Sequence, residues 1–104
     1  MPVTVRDNVA LSRYELIDDQ EVAAIEDYEV RGERIALVHT EVFAGNEGKG
    51  YARRLVDEVL ADVRARGLSV LPECPYVRKV IAEQPGSYLD LVPTDVRARF
   101  DLPG

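Results

Sequence analysis

Residues 42–56, VFAGNEGKGYARRLV, decide how the rest of the chain reads. An apolar pair, Val42-Phe43, closes one kind of pattern. Gly45, Gly48 and Gly50 then fall close together, and Ala52, Leu55 and Val56 open another pattern at helical spacing. Bare backbone between a strand and a helix has a physical use. The first turn of a helix carries unpaired N–H groups and the positive end of the dipole, and glycines let a bulky anion approach them. GKGYAR therefore reads as a cradle for a pyrophosphate, with Lys49 and Arg53 as flanking charges. Two nucleotide readings are set aside. A Walker loop needs Gly-Lys-Ser/Thr, and Lys49 is followed by Gly50. A dinucleotide fold needs its glycines after the first strand of a parallel βαβ unit.

What precedes the loop is antiparallel in pattern. VTVRD and roughly Val9 to Ile17 alternate as two strands about an Asp7-Asn8 turn, and Val22 to Val30 follows as a third. Val22, Ala24, Tyr28 and Val30 share one face of it, with Ala23 and Ile25 on the other. Gly32-Glu33 has the glycine-first form of a tight hairpin turn, and IALVHTEV, apolar on both faces, reads as a central buried strand.

Downstream, Ala52, Leu55, Val56, Val59, Leu60 and Val63 make the stripe of an amphipathic helix, with Arg64 and Arg66 in the last turn and Gly67 as its stop. LSVLP is short and strand-like. CPYVRKVIAEQPG predicts a second helix with Val77, Val80 and Ile81 inward, closed by Pro85-Gly86. YLDLV reads as a last strand or an extended segment, and Pro93-Thr94-Asp95 as the start of a short terminal helix. The order is ββββαβα. This is an α+β fold with one mixed, mostly antiparallel sheet, because Leu68 to Pro72 returns through a helical crossover and must run parallel to the central strand.

Composition bounds the function. A chain of 104 residues supports one core, so residues 1–104 are expected to form a single domain. With 46% hydrophobic and 31% charged residues it reads as globular, and no apolar run approaches a membrane span of roughly 20 residues. A net charge of −6 argues against nonspecific nucleic-acid binding and suits a cationic or neutral small substrate. Locally the sign reverses: between Phe43 and Val56, Glu47 faces Lys49, Arg53 and Arg54. One cysteine, Cys74, permits neither a disulfide framework nor a metal cluster, and no secretory signal opens the chain. A reducing cytoplasm is the expected setting.

The order of elements together with HTEVFAGNEGKGYARRLV resembles the GNAT superfamily of acyl-CoA-dependent N-acetyltransferases, whose signature is a strand ending in Val and a loop of the form Arg/Gln-x-x-Gly-x-Gly/Ala opening a helix. Here that loop reads Glu47-Gly48-Lys49-Gly50-Tyr51-Ala52, after Val42. The likeness is closer still to the minimal YjdJ-type subgroup, through LVHTEV, the glycine loop and Pro72-Glu73-Cys74-Pro75-Tyr76-Val77. It spans about residues 9 to 92. The resemblance implies acetyl-CoA as cofactor, its pyrophosphate on the amides of Gly48, Lys49, Gly50, Tyr51, Ala52 and Arg53. Its pantetheine arm would pair with the backbone of Thr40, Glu41 and Val42. Glu47 departs from the family's Arg or Gln and is expected to face solvent.

Chemistry centres on Cys74. Pro75 suits the first position of a helix, which puts the sulfur at a helix N-terminus, where the dipole favours thiolate; neighbouring Glu73 opposes it. The resemblance sets the thioester between the fourth and fifth strands, near this residue. Cys74 is then a covalent acetyl carrier, a polar wall of the acyl pocket beside direct attack by an amine, or simply a small buried hydrophobe. His39, the only histidine, falls by alternation on the face of Ile35 and Leu37, as a general base or as a core residue bonded to backbone. Tyr76 is a candidate proton donor to a departing thiolate, or packing. Tyr14, Tyr28 and Tyr88 read as core.

The expected function is acetyl transfer to an unidentified small-molecule or peptide amine, with no metal, nucleic acid or membrane. An acyl-CoA-binding module with little turnover is the alternative, and a structural protein with a vestigial loop is a third class.

Overall fold

Alternation in the first third of the chain becomes a meander. In the computed structural model, which describes residues 2–104, β1 (Val3–Asn8), β2 (Arg13–Asp18), β3 (Glu21–Arg31) and β4 (Arg34–Val42) pair antiparallel in succession. β5 (Ser69–Pro72) joins β4 in parallel and completes a sheet of order β1-β2-β3-β4-β5. Gly32 turns the β3–β4 hairpin at φ +64°, a conformation that costs glycine little.

The first turn lies later than alternation predicts. Asn8 ends β1, its side chain accepts the Leu11 N–H at 3.2 Å, and a 3-10 turn over Val9–Leu11 carries the chain to Ser12 at φ +52°. Val9 and Leu11 look like strand residues but stand exposed at this tip.

α1 (Tyr51–Ala65) lays Leu55, Val56, Val59, Leu60 and Val63 on β2, β3 and β4, all five fully buried. α2 (Pro75–Glu83) starts at its proline and buries Val77, Val80 and Ile81, as the spacing predicts. Pro85-Gly86 does not end the helical region; it opens a short α3 (Pro85–Tyr88). YLDLV is not a strand. Leu89–Leu91 forms a 3-10 turn, followed by others at Thr94–Val96 and Ala98–Phe100. Leu91, Val92, Val96, Phe100 and Leu102 add to the core while the Arg97 guanidinium donates to the Leu89 and Val92 carbonyls, so burial and caps replace the sheet edge. No helix among the described residues is long and apolar enough to cross a membrane.

Two features of β4 position the site. Tyr28 pairs with Leu37 and Asp27 with His39, so Val38 is an extra residue, a β-bulge. Directly opposed residues of an antiparallel pair share a face. Thr40, opposite Glu26, therefore lies on the same face as Leu37, although three positions separate them. Beyond the bulge the strand also loses its parallel neighbour. β5 pairs only with Arg34 to Leu37, and the Cys74 N–H donating to the Leu37 carbonyl at 2.7 Å is the last link. From there β4 runs on to Val42 without a parallel partner, while the other chain segment enters α2 at Pro75.

Candidate active site

The loop between β4 and α1 holds Gly48 at φ +78° and Gly50 at φ +75°, a region in which a side chain is strained, and a Cβ built at either would meet no protein atom within 4 Å. Gly50 occupies the N-cap of α1 and offers no side chain to it, and no acidic residue stands in the first turn. Among the described residues no protein group accepts from the backbone N–H groups of Gly48 through Arg53. They open beside a cavity of about 330 Å³. Its walls are Val42 at the strand end, Asn46, Glu47, Gly48 and Gly50 of the loop, Tyr51, Ala52 and Arg53 of the first turn, and Tyr76 of α2.

Most residues expected to hold a cofactor thus converge. Lys49 does not line the cavity: its ammonium is 3.4 Å from Asn46 Oδ1 and 3.9 Å from Asp18, above the Tyr51 ring. Arg53 borders it, but is engaged by Asp57 at 3.3 Å and Glu83 at 3.8 Å. Positive potential at the loop therefore comes mainly from peptide dipoles. Glu47 is exposed, as expected, and folds back to accept the Gly45 N–H at 2.9 Å, yet it also borders the cavity. The Glu41 side chain lies on the opposite face of the sheet, beside His39.

His39 is the clearest departure. Alternation puts it with Ile35 and Leu37; the bulge at Val38 turns it to the other face, where its side chain is 55% accessible and its Nε2 lies 3.2 Å from Glu41 Oε1. It is neither a core residue nor a neighbour of the Cys74 sulfur.

Cys74 is the N-cap of α2, with φ −73° and ψ 125°, ahead of Pro75. Its side chain is 3% accessible and makes no capping bond to the helix amides. Its polar contact is Thr40, whose Oγ1 is 3.1 Å from the sulfur. Thr40 in turn is hydrogen-bonded to Glu26. Glu73, adjacent in sequence, is drawn away by Arg31 at 2.9 Å, which offsets its charge.

Glu26 is the residue sequence reasoning passes over. It sits between Ala24 and Tyr28 on the inward face of β3, where one acid interrupts an apolar series; that interruption was the available signal, although Val22, expected on the same face, is turned to the other by an extra residue at Ala23. It is 0% accessible, and its Oε2 has no partner among the described residues. Burial pushes its carboxyl from the ordinary 4.5 to about 8; the Thr40 hydrogen bond works the other way and the nearby charge of Asp27 adds to the rise. Glu15 shows the contrast. Burial presses its carboxyl upward too, but Arg13 and Arg6 at 2.8 Å and Asn8 at 3.1 Å outweigh it and hold it below the ordinary value.

Tyr76, on the first turn of α2, lines the cavity, and among the described residues its hydroxyl makes no protein hydrogen bond. Burial raises its phenol, against the pull of Arg53. Tyr14, Tyr28 and Tyr88 each spend their hydroxyl on an aspartate, Asp62, Asp7 and Asp57, at 2.6–2.7 Å.

The same elements recur in known proteins. The ribosomal-protein-S18-alanine N-acetyltransferase of Escherichia coli superposes with a TM-score of 0.52 at 19% identity, over 56% of this chain and 38% of its own, a likeness of fold. This chain therefore spans well under half the length of that protein. No curated protein matches. A family model described as GCN5-related N-acetyl-transferase matches residues 13–91, from the start of β2 to the turn after α3. That stretch takes in the glycine loop and both sides of the β4–β5 divergence, and the chain belongs to the GCN5-related N-acetyltransferase family.

Proposed function

We propose that this protein transfers an acetyl group from acetyl-CoA to a small-molecule or peptide amine. The observation carrying the reading is the unpaired run of amides from Gly48 to Arg53, at a helix start that no side chain caps and beside a cavity. Those amides would hold the diphosphate, and the strand end from Thr40 to Val42, beyond the reach of β5, would pair with the pantetheine arm. The thioester supplies an acetyl group activated for attack by a nucleophile. Val42 lines the cavity, and Thr40 on the same face touches Cys74, so the reactive end lies toward the sulfur. There Cys74 acts as acetyl carrier or as a wall of the acyl site, and the free Tyr76 hydroxyl is available to return a proton to a departing thiolate. His39 and Glu41, on the far face, take no part through their side chains.

One observation favours a binding module with little turnover. Lys49 and Arg53 are already held by carboxylates, and Glu47 borders the cavity, so charge does little to tighten the site.

Isothermal calorimetry decides first. Acetyl-CoA should release heat that an adenine nucleotide of equal charge does not, and no heat from acetyl-CoA would remove the transferase reading and the module together. Release of free CoA with an amine, above hydrolysis, separates enzyme from module. Intact mass after incubation with acetyl-CoA reads the covalent route directly. An acetyl adduct that Cys74→Ala abolishes is expected if the sulfur is the carrier; no adduct and full turnover in that variant would leave it a wall.

A further inference from the structure

The Thr40 hydroxyl and the backbone of His39 work against the burial of Glu26 without outweighing it. Oε1 meets the Thr40 hydroxyl and Oε2 meets no side chain among the described residues, and burial disfavours an ionised carboxylate that has no cation beside it. The groups packed about it are few. Asp27 follows it on β3. Tyr14, opposite on β2, sends its hydroxyl to Asp62 instead. Tyr28, two residues on, is bonded to Asp7. From β4 comes Thr40, with the His39 ring on the other face, and from the start of α2 comes Cys74 behind Thr40. No cation is among them, whereas the equally buried Glu15 has two. A carboxyl kept dry and unpaired beside a hydroxyl that touches a thiol is arranged to exchange a proton.

We propose that Glu26 is a positioning residue that takes up the proton of the Cys74 thiol through the Thr40 hydroxyl. The S–H bond breaks as its proton passes to Thr40 Oγ1, and the hydroxyl proton of Thr40 passes to Glu26 Oε1. Thr40 is unchanged, the sulfur becomes a thiolate and Glu26 a neutral acid. Total charge is conserved, and the reverse step returns the proton. Burial brings the carboxyl to about 8, so close to neutral pH it is able both to hold and to release a proton. Below that value Glu26 already holds a proton and takes up no other. As pH rises through it, the pair gives up one proton and shares the remaining one. What the thiolate then attacks rests on the acyl-transfer reading; the shared proton does not.

The test needs no acetyl-CoA. Cys74 is the only cysteine, so its Cβ chemical shift reports on one site. Followed against pH, that shift should move in two steps, one coinciding with titration of the Glu26 carboxyl carbon. Glu26→Gln should leave a single step and move the pH profile of alkylation by iodoacetamide. Thr40→Val should uncouple the two titrations while Glu26 still titrates, and Thr40→Ser should restore the coupling. A Cys74 titration and alkylation profile identical in the native protein, Glu26→Gln and Thr40→Val would overturn the proposal and leave Glu26 a structural acid. If Glu26→Gln does not fold, the Thr40→Val and Thr40→Ser pair decides alone: unmoved coupling in Thr40→Val refutes the bridge. Coupling without acetyl-CoA heat would refute the transferase and binding-module readings and leave the relay, and heat without coupling would refute only the relay.

Discussion

At the scale of single residues, two buried carboxyls pull stability in opposite directions with pH. Glu26 binds its proton more tightly folded than unfolded. Its contribution is fully present below the ordinary 4.5 and is lost as pH rises toward about 8. Across that window the loss reaches at most about 1.4 kcal/mol per pH unit, the limit for one proton. Urea unfolding at a series of pH values should show this decline in the native protein and a flatter curve in Glu26→Gln. Glu15, held below its ordinary value by Arg13, Arg6 and Asn8 against its burial, acts the other way: its share is present above the unfolded value and lost as pH falls through the folded one. Arg13→Met should therefore weaken the protein most above pH 5, with the difference from native narrowing in acid, read from the same unfolding series. Glu15 was not singled out from its sequence either. Whether a buried acid is neutralised by cations or left alone depends on neighbours 2 to 14 positions away, which no local pattern names.

Elements carry the next set of forces. α1 was legible because its burial repeats every three or four residues, and the same repeat says what breaks it. Leu60, fully buried, should cost about 2–5 kcal/mol when cut to alanine, through lost transfer energy and the cavity left behind. A thermal or urea midpoint measures it. Gly50 is different in kind. At φ +75° an alanine is strained by about 1–2 kcal/mol, and its methyl would project into open space rather than protein. Gly50→Ala is expected to lower stability by that modest amount and acetyl-CoA affinity by at least about tenfold, since its methyl would stand where the anion approaches the amides. An unchanged dissociation constant would separate the loop from the cofactor. Turns were less legible than helices. Val9 and Leu11 have strand composition and sit in a 3-10 tip because the Asn8 side chain closes it, and YLDLV curls because its carbonyls are taken by Arg97 rather than by a strand.

For the whole molecule, the site exists because β4 outruns β5. Four residues pair in parallel, the Cys74 amide adds one more bond, and the remaining strand end faces the gap at which α2 begins. The bulge sets what that end presents. Deleting Val38 would shift the pairing phase by one residue and turn Thr40 away from Cys74 or Leu37 out of the core. Such a variant should keep strand and helix signal in far-UV circular dichroism, unfold at lower temperature than any of the single substitutions above, and lose heat with acetyl-CoA. By itself the chain determined the four-stranded meander, the glycine loop, both principal helices and the buried stripe of each, because alternation, helical period and turn chemistry act over a few neighbouring residues. Only the tertiary structure decided that His39 faces outward while Thr40, Glu26 and Cys74 meet, for those partners lie 14 and 34 positions apart and are brought together by the phase of one bulge. Strand pairing sets that phase, and strand pairing is settled across the sheet rather than along the chain.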